Sequence, residues 1–190
     1  MEKTIRFLSL VVLCFSSLST LAQTKSDKQQ AGEIVGEFYK FHRWRGTDFS
    51  VREINLRKKW FTVKLYKLFL FELKREKEYL KKNPTNKPVF GEGLKFEPWE
   101  ECLADGKFYR NWYRIGKSSV DKNKAVVAVA FYNPQKCENR NLISEHSVEL
   151  TKSKDKWLIS DFIFPSRGPG RFAAYPLTGR LTEMLERKEY

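Results

Sequence analysis

The sequence predicts an α+β domain: helices come first and an antiparallel sheet follows. Three observations carry this. Apolar residues recur at the helical period from about Gln29 to Lys82. From Phe108 onward the period changes to two. The alternating runs are joined by short turns, and short turns join only antiparallel neighbours.

The first segment stands apart from this domain. Lys3 and Arg6 precede the apolar run from Phe7 to Leu18, and Thr20 and Ala22 are small residues three and one before Gln23. This is the three-part pattern of a secretory signal peptide. The run is shorter than the roughly 20 residues needed to span a bilayer. Leu13 before Cys14 is too large for lipoprotein processing. The expectation is cleavage after Ala22 and export to a bacterial periplasm or the medium. The chain then divides into a signal peptide (1–22), an α+β domain (23–165) and a C-terminal extension with a short helix (166–190).

Export bears on the cysteines. Cys102 and Cys137 remain after cleavage, and an oxidising compartment lets such a pair persist as a disulfide. The alternative is two reduced, buried thiols. No CxxC spacing is present, and His42 and His146 lie far apart, so no metal site is expected. Export also makes nucleic acid a poor partner, although the net charge is +13. The basic residues are spread along the chain, which suits a solvated surface, an acidic partner or an anionic envelope surface.

Helix one is expected over Gln29–Trp44, where Ile34, Val35, Phe38, Tyr39 and His42 share a face. Gly46 ends it. Ser50-Val51-Arg52-Glu53 fits a capping box. A long helical tract then reaches about Lys82, with a break near Asn55. Leu56, Trp60, Val63 and Leu70 mark one stripe; Phe61, Leu65, Leu68 and Glu72 mark another. The apolar stretch Leu65–Leu73 is expected to be buried on several sides. The cations of the tract, Arg57 among them, read as a solvated face. Asn83-Pro84 stops the helix, and 83–107 is a long connection.

Four alternating runs follow: "FYRNWYRIGKSSV", "AVVAVAFY", "LISEHSVEL" and "WLISDFIFP". "DKNK" and "TKSKDK" are turns between them. Proline and glycine in "PSRGPGRFAAYP" end the last strand. A short helix fits Thr178–Lys188.

Several of these stretches resemble a known superfamily. "EIVGEFYKFH" resembles the first helix of the nuclear transport factor 2-like, or cystatin-like, superfamily. "DKWLISDFIF" looks like its last strand. "LKFEPWEE" is similar to a stretch in one exported branch, a domain of unknown function. The resemblance implies N-terminal helices packed on a curved antiparallel sheet, cone-like, with a pocket at the open end. It also raises homodimerisation through the open sheet. The superfamily holds enzymes and binding modules alike, so the fold decides little about activity.

Candidate site residues follow from local chemistry. "GEGLKFEPWEEC" is acidic within a basic chain. Glu97, between Phe96 and Pro98 and beside Trp99, would become a useful acid or base if burial raised its pKa. Otherwise Phe96 and Trp99 anchor a loop whose glutamates stay in water. His146 shares a face with Val148 and Leu150, with Glu97 or Asp161 as a partner for acid–base work. Phe108, Arg110, Trp112 and Arg114 alternate aromatic and guanidinium groups on one face, which suits a planar or anionic ligand. They equally suit a sheet exterior covered by long side chains. His42 fits a protonated histidine favoured by the C-terminal dipole of helix one.

No nucleophile elbow, phosphate loop, zinc spacing or dinucleotide fingerprint is present in the sequence, and no cofactor is implied. The leading expectation is an exported, non-catalytic module that binds a small ligand or protein partner through Trp99, Arg110, Trp112, Arg114 and His146. The alternatives are an isomerase- or hydrolase-like enzyme using Glu97 or His146, and an interaction or inhibitor protein acting through its basic surface.

Overall fold

The computed structural model describes residues 25–45, 50–85, 102–104, 107–109, 112–132, 142–165, 175–179 and 182. The signal-peptide reading, Glu97, Trp99, Arg110 and Cys137 lie outside them, and so does the bridge from Cys102 to Cys137. Among the described residues no helix is long and apolar enough to cross a membrane.

Helix α1 spans Asp27–Arg45. It buries Ala31, Val35, Phe38, Tyr39 and His42, which recur at helical spacing on one face. That face lies on the sheet. Gly32 permits the close approach, since a Cβ there would lie 3.3 Å from Ser118 Oγ, and the Tyr113 hydroxyl donates to the Gly36 carbonyl at 3.3 Å.

Helix α2 spans Val51–Arg57, and the Ser50 side chain caps it by accepting from Glu53 N–H at 3.2 Å. A single 3-10 turn, Lys58–Trp60, follows. Phe61 then becomes extended and forms a parallel bridge with Ile159, and Thr62 N–H donates to the Ile159 carbonyl at 2.8 Å. Helix α3, Val63–Lys82, starts from Thr62, whose hydroxyl accepts from Leu65 N–H.

The helical tract is therefore broken at Phe61–Thr62, not near Asn55. The break rotates α3 out of phase with α2, so the stripe Leu56–Trp60–Val63–Leu70 does not hold. Trp60 is buried while Leu56 and Val63 are exposed. The second stripe holds for Phe61, Leu65 and Glu72, which are buried. Within Leu65–Leu73, Tyr66, Leu68, Leu70 and Leu73 pack partly buried beside Leu65, Phe69 and Glu72, as expected, and only Lys67 and Phe71 are exposed. Which side is left exposed is set by what α3 meets, and a run of apolar residues carries no information about that.

A two-stranded antiparallel ribbon, β1 (Cys102–Ala104) with β2 (Lys107–Tyr109), precedes the main sheet. The stretch beginning at Phe108 is thus not one strand. Phe108 belongs to β2, and the sheet strand β3 begins at Trp112. A period of two reports an extended chain, not the neighbour it pairs with.

The main sheet is β3 (Trp112–Asp121), β4 (Lys124–Tyr132), β5 (Leu142–Ser153), β6 (Lys156–Phe164) and the short β7 (Tyr175–Pro176), in that order and antiparallel throughout. Two-residue turns join β3 to β4 and β5 to β6. Each places a lysine at positive φ, Lys122 at 50° and Lys154 at 54°. Register shifts at Ile115/Ser118, Phe131/Tyr132 and Glu149/Leu150 bend the sheet. Leu177–Gly179 begin a short C-terminal helix. The result is the α+β arrangement expected: helices on an unclosed, curved antiparallel sheet.

The core fills the space between α1 and the sheet's inner face. Val127, Val129, Phe131, Val148, Leu150, Trp157, Ile159 and Phe162 point into it. Phe38 is its centre, with ring contacts to Tyr39, Trp60, Phe61 and Phe162 at 5.2–6.0 Å between centroids. Lys152 and Trp157 hold Asp27 at the N-terminal end of α1, at 2.6 and 3.3 Å. The two turns thus lie near one end of α1. The opposite end of the sheet lies near its C-terminal end.

Candidate functional site

The end of the sheet away from the two turns carries His146. Cross-strand register places Val129 opposite it on β4, and Ile115 opposite Val129 on β3. His146 therefore faces the helices, with Val148 and Leu150 further along the same strand face, and all three are buried. The alternation expected for this strand is what the fold contains.

The imidazole sits between two phenylalanines. The Phe131 and Phe164 ring centroids each lie 4.9 Å away, tilted by 53° and 78°. Nδ1 of His146 is buried and has no hydrogen-bond partner among the described residues. Burial disfavours the charged ring and pushes its pKa down to about 4. His146 is accordingly a neutral imidazole between two aromatic rings, with one nitrogen unsatisfied among the described residues.

Trp112 and Arg114 alternate with Tyr113 and Ile115, and so lie on the other face of β3. Trp112 pairs across with Tyr132, and Arg114 with Ala130. They share no surface with His146. Trp112 stays 45 % exposed, and its ring is covered by the guanidinium of Arg43, 3.9 Å from the centroid. The cation on Trp112 thus comes from the last turn of α1. The signal available in the sequence was an arginine one residue after His42. Tyr113, on the inner side, stacks near Tyr39, and burial raises its phenol pKa against the opposing pull of Arg43.

Asp161 is not placed to serve His146. The shift at Glu149/Leu150 sets Asp161 opposite Glu149, on the outer face. Its carboxylate accepts from Phe162 N–H at 2.8 Å, Thr178 N–H at 3.0 Å and the Thr178 hydroxyl. It ties the C-terminal segment to β6 and favours the start of the helix there.

His42 is also different from its sequence reading. It is buried, and its Nδ1 lies 3.1 Å from a guanidinium nitrogen of Arg57. Arg57 in turn pairs with the Glu53 carboxylate at 2.8 Å and donates to the Glu53 carbonyl at 2.9 Å. Arg57 is therefore not part of the solvated face. A guanidinium only donates, so Nδ1 of His42 is the acceptor and the ring is neutral, with its proton on Nε2. The expected protonated histidine at a helix end gives way to a buried contact between α1 and α2.

A separate, open cleft of about 470 Å³ lies between the N-terminal half of α1 and β3, bounded by Lys28, Gly32, Glu33, Gly116 and Ser118. It is at the far end of α1 from Trp112. Among the described residues no three His, Cys, Asp or Glu side chains converge as a metal site would require. Comparison with protein-family models, with curated proteins and with solved structures found no match.

Proposed function

We propose that this chain is a non-catalytic binding module that takes a small ligand at the end of the sheet away from the two turns, against His146. One observation carries the reading: a buried imidazole nitrogen without a partner among the described residues, between the rings of Phe131 and Phe164. A buried polar atom left unsatisfied costs about 1–3 kcal/mol, and a ligand that meets it recovers that cost. The aromatic walls suit a flat, largely apolar molecule with one hydrogen-bonding group.

The same geometry weighs against proton transfer. A general base works best with a pKa near the operating pH. At about 4, His146 is a weak base near neutrality, and almost none of it is the imidazolium that could act as an acid. Its burial also favours a small molecule over a flat protein surface, which does not reach an interior atom.

Native mass spectrometry of the chain purified from its own cells tests this. The expected result is a mass in excess by one small molecule, absent from a folded His146→Phe variant. A bare mass for the wild type overturns the ligand reading. An excess that persists in the variant moves the site away from His146.

A further inference from the structure

We propose that the outer face of α3 docks on a membrane surface rich in anionic lipid. Helix α3 turns Leu65, Phe69 and Glu72 inward, and all three are buried. Its opposite face carries Val63, Lys67, Phe71 and Lys74, at steps of four, four and three residues, which align on one side of a helix. Val63 is 68 % exposed and Phe71 56 %. These are two large apolar side chains held out in water on a line of lysines.

The charge on this face is one-sided. Lys64, Lys67, Lys74, Lys77, Lys81 and Lys82 are all exposed along α3. Of its three acids, Glu72 is buried against Arg75, Glu76 is half-buried, and exposed Glu78 lies 3.9 Å from Lys74. Lys64 and Lys67, which flank the line between Val63 and Phe71, make no ion pair among the described residues. Lys58 and Lys59 extend the cationic surface beyond the N-terminus of the helix.

A soluble acidic polymer or an acidic protein would answer the charge alone. The exposed Phe71 and Val63 favour a lipid surface. An interfacial helix buries its apolar side chains at the boundary between headgroups and acyl chains while its lysines meet anionic headgroups. Helix α3 has 20 residues, so it presents a face about 30 Å long. It lies on such a surface and does not cross it. This face is separate from His146 and independent of what binds there.

The test is co-sedimentation with vesicles, using the chain as its own cells process it so that all variants share one N-terminus. Vesicles of phosphatidylcholine alone are compared with vesicles holding about one-third phosphatidylglycerol. The expected result is binding to the anionic vesicles only, weakened as salt rises from about 0.1 to about 0.5 M. Phe71→Ser lowers the partition coefficient roughly tenfold, for the lost apolar burial. Lys64→Glu with Lys67→Glu lowers it by at least as much. Thermal melts check folding, which these exposed positions leave intact. No binding to anionic vesicles overturns the proposal. So does wild-type affinity in a folded Phe71→Ser variant together with displacement by soluble polyphosphate, which assigns the face to an acidic polymer.

Discussion

The guanidinium of Arg57 donates to Nδ1 of His42 at 3.1 Å, and both side chains are buried. The two residues sit on different helices, so this contact fixes how α2 meets the C-terminal end of α1. Glu53 balances the charge of Arg57 from one turn earlier on α2. Lysines dominate the rest of the tract, but the planar guanidinium fork reaches Glu53 and His42 from two fixed nitrogens.

Arg57→Ala is expected to destabilise the fold by about 3–5 kcal/mol, because it leaves the Glu53 carboxylate buried without its cation. Urea unfolding measures this. Arg57→Lys recovers part of the loss, since one ammonium does not reproduce the fork. A loss below about 1 kcal/mol for Arg57→Ala would remove the trio as a structural element.

Stability should fall in mild acid through His146. Its folded pKa is about 4, below the ordinary 6.5. The unfolded chain therefore binds the proton first. The contribution is fully present above pH 6.5 and is lost progressively as pH falls toward 4. The loss amounts to about 3 kcal/mol. Denaturant melts across this range should show the slope in the wild type and a flatter profile in His146→Phe. Direct titration of the imidazole by NMR gives a second check, and a midpoint near 6.5 would refute the burial argument.

Two glycines predict opposite outcomes. A Cβ on Gly116 would lie 3.2 Å from the Ala128 Cβ and 3.3 Å from its carbonyl oxygen, where backbone gives way poorly. Gly116→Val should cost about 1–3 kcal/mol by overpacking. A Cβ on Gly36 would meet only Ile115 Cγ1, at an ordinary 3.7 Å. Gly36→Ala should then stabilise α1 by about 0.5–1 kcal/mol. Thermal melts of the two variants decide both.

Asp161→Ala should free the C-terminal segment. Three donors lose their acceptor, and among the described residues the segment is then left with the β7–β6 pairing and the buried Leu177 side chain. The expected cost is about 2 kcal/mol. Limited proteolysis should cut after Phe164 faster than in the wild type, with the remaining domain intact. An unchanged digestion pattern would show that Asp161 is not the tether.

Much of the fold was legible in local pattern. The order of helices and strands follows from a period near four changing to two. So do the buried face of α1, the cap at Ser50, the two hairpin turns and the shared face of His146, Val148 and Leu150. Each depends on residues a few positions apart, and backbone geometry turns that spacing directly into a face.

What tertiary structure decided is everything that depends on a count or a partner elsewhere in the chain. One extra residue at the β5–β6 bulge sends Asp161 to the outer face and away from His146. Phe108 pairs in the ribbon with β1, whereas Trp112 pairs in the main sheet with β4. Phe61 leaves the helix because Ile159 offers its backbone as a partner, and that turn is what exposes Val63 and Phe71. Arg57 reads as one basic residue among many until His42 and Glu53 close on it. The sequence by itself determined which residues lie together along each element. Which face meets which, and hence where a cation is buried or an imidazole left unsatisfied, depends on contacts between residues distant in the chain, and periodicity carries no record of those.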